Sequence, residues 1–298
     1  MVAGVRVFAP AKVNLHLGVG ARRADGYHDV DTVLQSTNLG DEIEITRASA
    51  LSLTCEPPLD LPAQDNLAVR AARELSRDLG RTPDVAIRLL KRIPAGAGLG
   101  GGSSDAAGVL AGLASLWGLS ADDPCLARVA ARLGADVAFF LGAGGGTALF
   151  SGRGDLLVRA LPTVPLDLVL AKPTASIETR RAYAAFDVHP VAPSDPAPLF
   201  EALGEGNLER VASAVSNNME QAACSLVPEV ADALAWVKRL PGVLGATVAG
   251  SGSAMFAVCT DAAAARDAAA AASGRALWSM ATTSRDRGVT VEGIGEAG

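Results

Sequence analysis

Near the start of the chain Val13, Leu15, Leu17 and Val19 alternate with Lys12, Asn14, His16 and Gly18. That period of two predicts strand within residues 5–19, with one apolar and one polar face, and it puts Lys12 and Asn14 side by side on the polar one. Residues 21–31 read as a loop, with Asp25-Gly26 as the turn signal, and residues 30–39 and 42–53 read as further strands. The run LAVRAARELSRDLG follows Asp65-Asn66 and ends on Gly80, which predicts a capped helix. Residues 85–93 alternate again. Helices are predicted over 105–117, closed by Gly118, and over 122–133, closed by Gly134.

A second region begins near Leu161. It carries a predicted strand over 166–171, helices over 179–185, 208–215 and 229–239, and a last strand over 289–292. Residues 240–260 hold no charge over 21 positions, the length of a membrane span, but nine of them are Gly, Ser, Thr or Pro. Two strands, 243–249 and 254–260, around a Gly-Ser turn account for them better. Asp261 then caps an Ala-rich helix running to Ala272. Strands and helices interleave without a strict βαβ rhythm, which predicts an α+β protein of two domains, residues 1–160 and 161–298.

The net charge of −6 removes the basic footprint that a nucleic acid would require. A small anionic substrate needs only a local cluster of cations and stays open. Cys55, Cys125, Cys224 and Cys259 are far apart and form no CxxC pair, which points to free thiols in a reducing compartment. The N-terminal residues show no charged region followed by an apolar one. The expectation is a soluble, cytoplasmic protein.

The candidate chemistry lies in KRIPAGAGLGGGSSDAA, where five of the seven residues from Gly96 to Gly102 are glycine. Without Cβ atoms, main-chain N–H groups can close on an anion, and a helix start just beyond adds its own unpaired donors. The segment predicts a phosphate cradle. A loop of the GxxxxGKS/T kind is excluded because no lysine falls between Gly96 and the helix. Gly96, Gly98 and Gly101 also match GxGxxG, with Asp122 and Asp123 at the distance a dinucleotide fold needs. Pro94, the three consecutive glycines and the mid-chain position speak against that second reading.

The segment PAGAGLGGGSSDAA resembles the phosphate loop of the GHMP small-molecule kinases. PAKVNLHL, from Pro10 to Leu17, and AGSGSAMFAV, from Ala249 to Val258, resemble that family's N-terminal and C-terminal motifs, in the right order. The resemblance implies an N-terminal nucleotide-binding domain, a ferredoxin-like C-terminal domain, ATP with Mg²⁺, and transfer of the γ-phosphoryl group to an alcohol. RADGYH, QDNLAVRAA and LGADVAFFLGAGGGTALFSGRGD are similar to the branch acting on a cytidine-diphosphate-linked methylerythritol.

On that resemblance Asp136 is the base and Lys12 its electrostatic partner. Pro94, Ala95, Gly96, Ala97, Gly98, Leu99, Gly100, Gly101, Gly102, Ser103 and Ser104 hold ATP, together with Asn66 and Lys91. Asn14, Tyr27, His28, Thr179 and Tyr183 hold the acceptor, Tyr27 and His28 at the cytosine. Two positions depart from the pattern: Ala138 replaces a usual proline after Asp136, and Asp105 stands where relatives often carry Asn. The Mg²⁺ ligands are unassigned, and the assembly is a monomer or a homodimer.

Overall fold

The computed structural model describes residues 4–143 and 146–295. In chain order the elements are β1 (Gly4–Arg22), β2 (His28–Arg47), β3 (Ser52–Glu56), α1 (Leu67–Asp78), β4 (Val85–Leu90), α2 (Gly101–Trp117), α3 (Pro124–Leu133), β5 (Thr147–Ser151) and β6 (Leu156–Ala160). There follow β7 (Asp167–Lys172), α4 (Thr179–Val188), α5 (Ala197–Glu205), α6 (Leu208–Ala214), β8 (Ser216–Asn217), α7 (Glu220–Leu226), α8 (Pro228–Val237), β9 (Val243–Val248), β10 (Met255–Cys259), α9 (Ala262–Ser273), β11 (Trp278–Thr283) and β12 (Thr290–Ile294).

The first sheet runs β12-β1-β2-β4-β3, with β5 and β6 continuing from β2 and β8 beside β1. The second runs β11-β7-β10-β9 and is antiparallel throughout. With a helix-containing crossover between β7 and β9 and α9 between β10 and β11, that order is the ferredoxin-like arrangement. A cut at residue 160 separates the two sheets except for β8 and β12, which return to β1, Gly4 pairing with Ile294. The two strands expected in residues 243–260 are β9 and β10, paired antiparallel.

β1 threads three cores. Val5, Val7 and Ala9 pack under α1, α2 and α3; Val13 and Leu15 pack against Leu168, Leu170, Phe256 and Val258 of the second sheet; Leu17 and Val19 reach the core beneath α4, α7 and α8. α2 lies close on the sheet because a Cβ at Gly108 would stand 2.8 Å from Ile43 Cδ1. At ~25 cal/mol per Å² of apolar surface, such burial is the main source of stability. The alternation read along β1 is real, yet its polar face is not solvated. Lys12, Asn14 and His16 are all buried, because the second domain and the glycine loop close over them.

Three expectations are corrected. α2 begins at Gly101 rather than Asp105, so Gly101 to Ser104 form its first turn. Residues 30–53 are mostly one long strand, β2, followed by the separate β3. The dinucleotide reading fails on topology: the glycine loop leads from β4 through α2 and α3 to β5, which pairs antiparallel with β2 and not beside β4.

Candidate active site

A cleft of about 600 Å³ opens between the glycine loop, β1, the turn before residue 137 and the β9–β10 turn. Its glycine wall is built by conformations that only glycine adopts easily. Gly98 has φ +80 and packs so tightly on the β9–β10 turn that a Cβ would stand 2.2 Å from Ala249 O. The Ala254 N–H donates to Ala97 O at 3.0 Å and the Lys12 N–H to Leu99 O at 3.0 Å, pinning the loop to both domains. Among the described residues, no backbone N–H from 98 to 103 donates to another protein group; the first helical bond runs from Ser104 N–H to Gly100 O. The start of α2 therefore presents unpaired donors and its positive dipole end to the cleft.

Across from these amides, Lys12 Nζ donates to Asn14 Oδ1 at 2.8 Å. Asn14 Nδ2 donates to Thr32 Oγ1 at 2.9 Å, whose hydroxyl donates to His16 O at 2.8 Å. This chain fixes the ammonium on the buried polar face of β1. Asp136 Oδ2 lies 3.7 Å from Lys12 Nζ, and the Asp136 side chain is 31% exposed. Asp136 sits in a turn closed by Val137 N–H to Gly134 O at 3.2 Å, so Ala138 leaves it held without the proline.

The Lys91 side chain is also buried and is clasped by Asp41 and Asp105, with Asp105 Oδ2 at 2.7 Å. Burial pulls its ammonium down, but the two carboxylates outweigh that and raise it. Burial pushes the Asp105 carboxyl up to about 8, against the pull of Lys91. Lys91 lines the cleft beside Gly101 and Gly102.

At the other end of the cleft are Thr179 and Tyr183 of α4, with Ser251 Oγ donating to Thr179 Oγ1 at 3.2 Å. Burial first and Asp136 second push the Tyr183 phenol up to about 12, so it stays neutral. Behind Tyr183 lies the His28 ring, centroids 5.1 Å apart, with Phe186 edge-on at 6.1 Å. His28 Nε2 and Asp187 Oδ1 are 2.7 Å apart; an ionised carboxylate has no proton to give, so Nε2 carries the hydrogen.

The expected site residues sort by position. Lys12, Asn14, Asn66, Lys91, residues 94–103, Asp136, Thr179 and Tyr183 line one cleft. Asn66 spends its side-chain oxygen on capping α1, accepting from Ala68 N–H. Ser104 is not among the residues lining the cleft: its N–H is taken by Gly100 O and its hydroxyl is buried without a protein partner. Tyr27 is largely exposed, and His28 is buried against Tyr183 and does not itself line the cleft. Gly250, Ser251 and Arg153 also line the cleft, and sequence reasoning gave them no role.

Residues 66–145 match the family described as GHMP kinases N terminal domain, and residues 199–276 match GHMP kinases C terminal. The chain belongs to the GHMP kinase family. Among its relatives, the 4-diphosphocytidyl-2-C-methyl-D-erythritol kinase of Mycobacterium tuberculosis is 41% identical over 91% of this chain and 86% of its own length. The enzyme of that name from Pelotomaculum thermopropionicum is 39% identical over 89% and 93%. A crystal structure of 4-(cytidine 5'-diphospho)-2C-methyl-D-erythritol kinase superposes with a TM-score of 0.80 at 36% identity, covering 94% of this chain and 99% of the other. Homoserine kinase from Cytophaga hutchinsonii, at 20% identity and a TM-score of 0.73 over 98% of each chain, shares the fold.

Proposed function

We propose that this GHMP kinase transfers the γ-phosphoryl group of ATP to the 2-hydroxyl of 4-diphosphocytidyl-2-C-methyl-D-erythritol, in the non-mevalonate route to isoprenoid precursors. The observation that carries the reading is the Lys12–Asp136 pair facing the unpartnered amides of residues 98–103 within one cleft. Those amides and the start of α2 take the triphosphate, as helix N-termini take anions generally. The 3.7 Å between Lys12 Nζ and Asp136 Oδ2 exceeds ordinary hydrogen-bond reach. An alcohol oxygen bridging the gap accepts from the ammonium and donates to the carboxylate, aligned for attack on the γ-phosphorus.

Phosphoryl transfer asks the protein mainly for positioning and charge neutralisation. Asp136 accepts the hydroxyl proton as the new O–P bond forms, and Lys12 steadies the developing negative charge on that oxygen. Asn14, anchored through Thr32, keeps the ammonium on target. Mg²⁺ arriving with ATP would supply charge neutralisation, most of its shell coming from phosphate oxygens and water. The Asp136 carboxylate and the Ser103 hydroxyl, both lining the cleft, would supply the one or two protein oxygens such an ion needs.

Tyr183, backed by His28, offers an aromatic face for the cytosine. The enzyme works in the cytoplasm, in keeping with its four free cysteines, and no helix among the described residues is long and apolar enough to cross a membrane.

The test is Asp136→Ala, assayed by ATP consumption with the diphosphocytidyl alcohol and by ATP binding. Turnover should fall at least ~100-fold, the usual share of a positioned base, with ATP affinity kept. Unchanged turnover rejects the base. Failure of cytidine nucleotides to compete with the acceptor would point to a different alcohol.

A further inference from the structure

We infer that Arg153 is the residue that binds the diphosphate of the acceptor; this rests on the cytidine-diphosphate reading above. Arg153 lies in the turn between β5 and β6, where its N–H donates to Asp155 Oδ1 at 3.0 Å and it bridges to Val30 of β2. Its guanidinium carbon sits 4.9 Å from the centre of the Tyr27 ring, and Nη2 reaches Asp155 Oδ2 at 3.2 Å. Turn, ring and carboxylate together hold the fork in one place. Arg153 also lines the cleft shared by Asp136, Thr179 and Tyr183.

The charge inventory of that cleft singles it out. Lys91 is clasped by Asp41 and Asp105, and Lys12 is committed to Asn14 and Asp136. Arg153 meets one carboxylate, at one nitrogen, and its side chain remains 45% exposed. A guanidinium has five N–H donors in a planar fork, so most are left for a second anion. The acceptor's diphosphate joins its alcohol, which belongs at Lys12 and Asp136, to its base, which belongs at Tyr183 and His28. A cation on the wall of that same cleft can grip phosphoryl oxygens bidentately. The stack on Tyr27 keeps the guanidinium preorganised and weakly hydrated.

The experiment compares CDP with cytidine, two probes that differ by the diphosphate alone, in binding to wild type, Arg153→Ala and Arg153→Lys. Wild type should prefer CDP over cytidine, and in Arg153→Ala that preference should shrink ~10-fold or more, the effect of one charge-assisted contact. Arg153→Lys should fall between, because it keeps the charge and loses the fork. ATP affinity should hold in all three. A preference for CDP that is equal in wild type and Arg153→Ala overturns the assignment. So does an equal loss of CDP and cytidine binding, which would mark Arg153 as a support for Tyr27 only. If wild type binds neither probe, the cytidine reading itself fails and the assignment with it.

Discussion

Gly98→Ala places a methyl group where the structure has no room. The new Cβ would lie 2.2 Å from Ala249 O and 3.1 Å from Gly252 O, on a residue with φ +80. An ordinary contact is about 3.4 Å, so the glycine loop and the β9–β10 turn must part by ~1 Å. Left-handed backbone costs a non-glycine residue roughly 1–2 kcal/mol. Parting the loops also stretches the bond from Ala254 N–H to Ala97 O, and a buried donor left unpaired costs about 1–3 kcal/mol. Reduced freedom of the unfolded chain returns about 0.4–1 kcal/mol.

The net loss is ~2–4 kcal/mol. At roughly 2–4 °C per kcal/mol for chains of this size, Tm should drop by at least ~4 °C. Because the same loop carries the unpaired amides that line the cleft, the KM for ATP should rise too. Gly102→Ala is the control: its Cβ would meet only Leu67 Cδ1, at 3.4 Å, and alanine gains about 1 kcal/mol over glycine within a helix. That variant should melt no lower than wild type while binding ATP more weakly, its methyl standing beside a cradle amide. Thermal melts and ATP titrations of both proteins decide the matter. A Gly98→Ala protein with wild-type Tm and wild-type KM for ATP would refute the loop-to-turn contact.

Two other variants probe the buried carboxylates and the base pocket. The Asp105 carboxyl is raised from 3.8 to about 8, so the stability it contributes is fully present below pH ~4 and is lost as pH climbs through about 8. At about 1.36 kcal/mol per unit the shift sets a ceiling of ~6 kcal/mol on that loss, with the opposing pull of Lys91 already counted. Asp105→Asn should flatten that decline, gaining on wild type between pH 5 and pH 9 in denaturant titrations; parallel curves would remove the raised carboxyl from consideration. Asp187→Ala leaves the His28 ring without the acceptor that fixes its tautomer, and about 1.5–3 kcal/mol for a hydrogen bond to a charged group implies an acceptor KM at least ~10-fold higher. The KM for ATP should not move, and an unchanged acceptor KM would show that the pair does not serve the pocket.

Local patterns decided much of this protein. The two-residue period of β1, the caps at Asn66 and Asp261, the strand pair β9–β10 and the bare glycine loop each depend on neighbours within a few positions, so they can be read directly from the chain. Three family-like motifs in order were enough to anticipate the kinase fold. Tertiary structure decided what those patterns meant. The polar face of β1 is a buried wall of the cleft because the second sheet and the glycine loop cover it, and nothing within residues 5–19 distinguishes a covered polar face from a wet one. β12 returns to β1 across almost the whole length of the chain, and β5, β6, β11, α5 and α7 carried no periodicity strong enough to announce themselves. Asp187 meets His28 over 159 positions, and Arg153 meets Tyr27 only because β2 and the β5–β6 turn pack together. Pairings of that kind arise from burial and chain closure, which act between distant residues and leave no local trace.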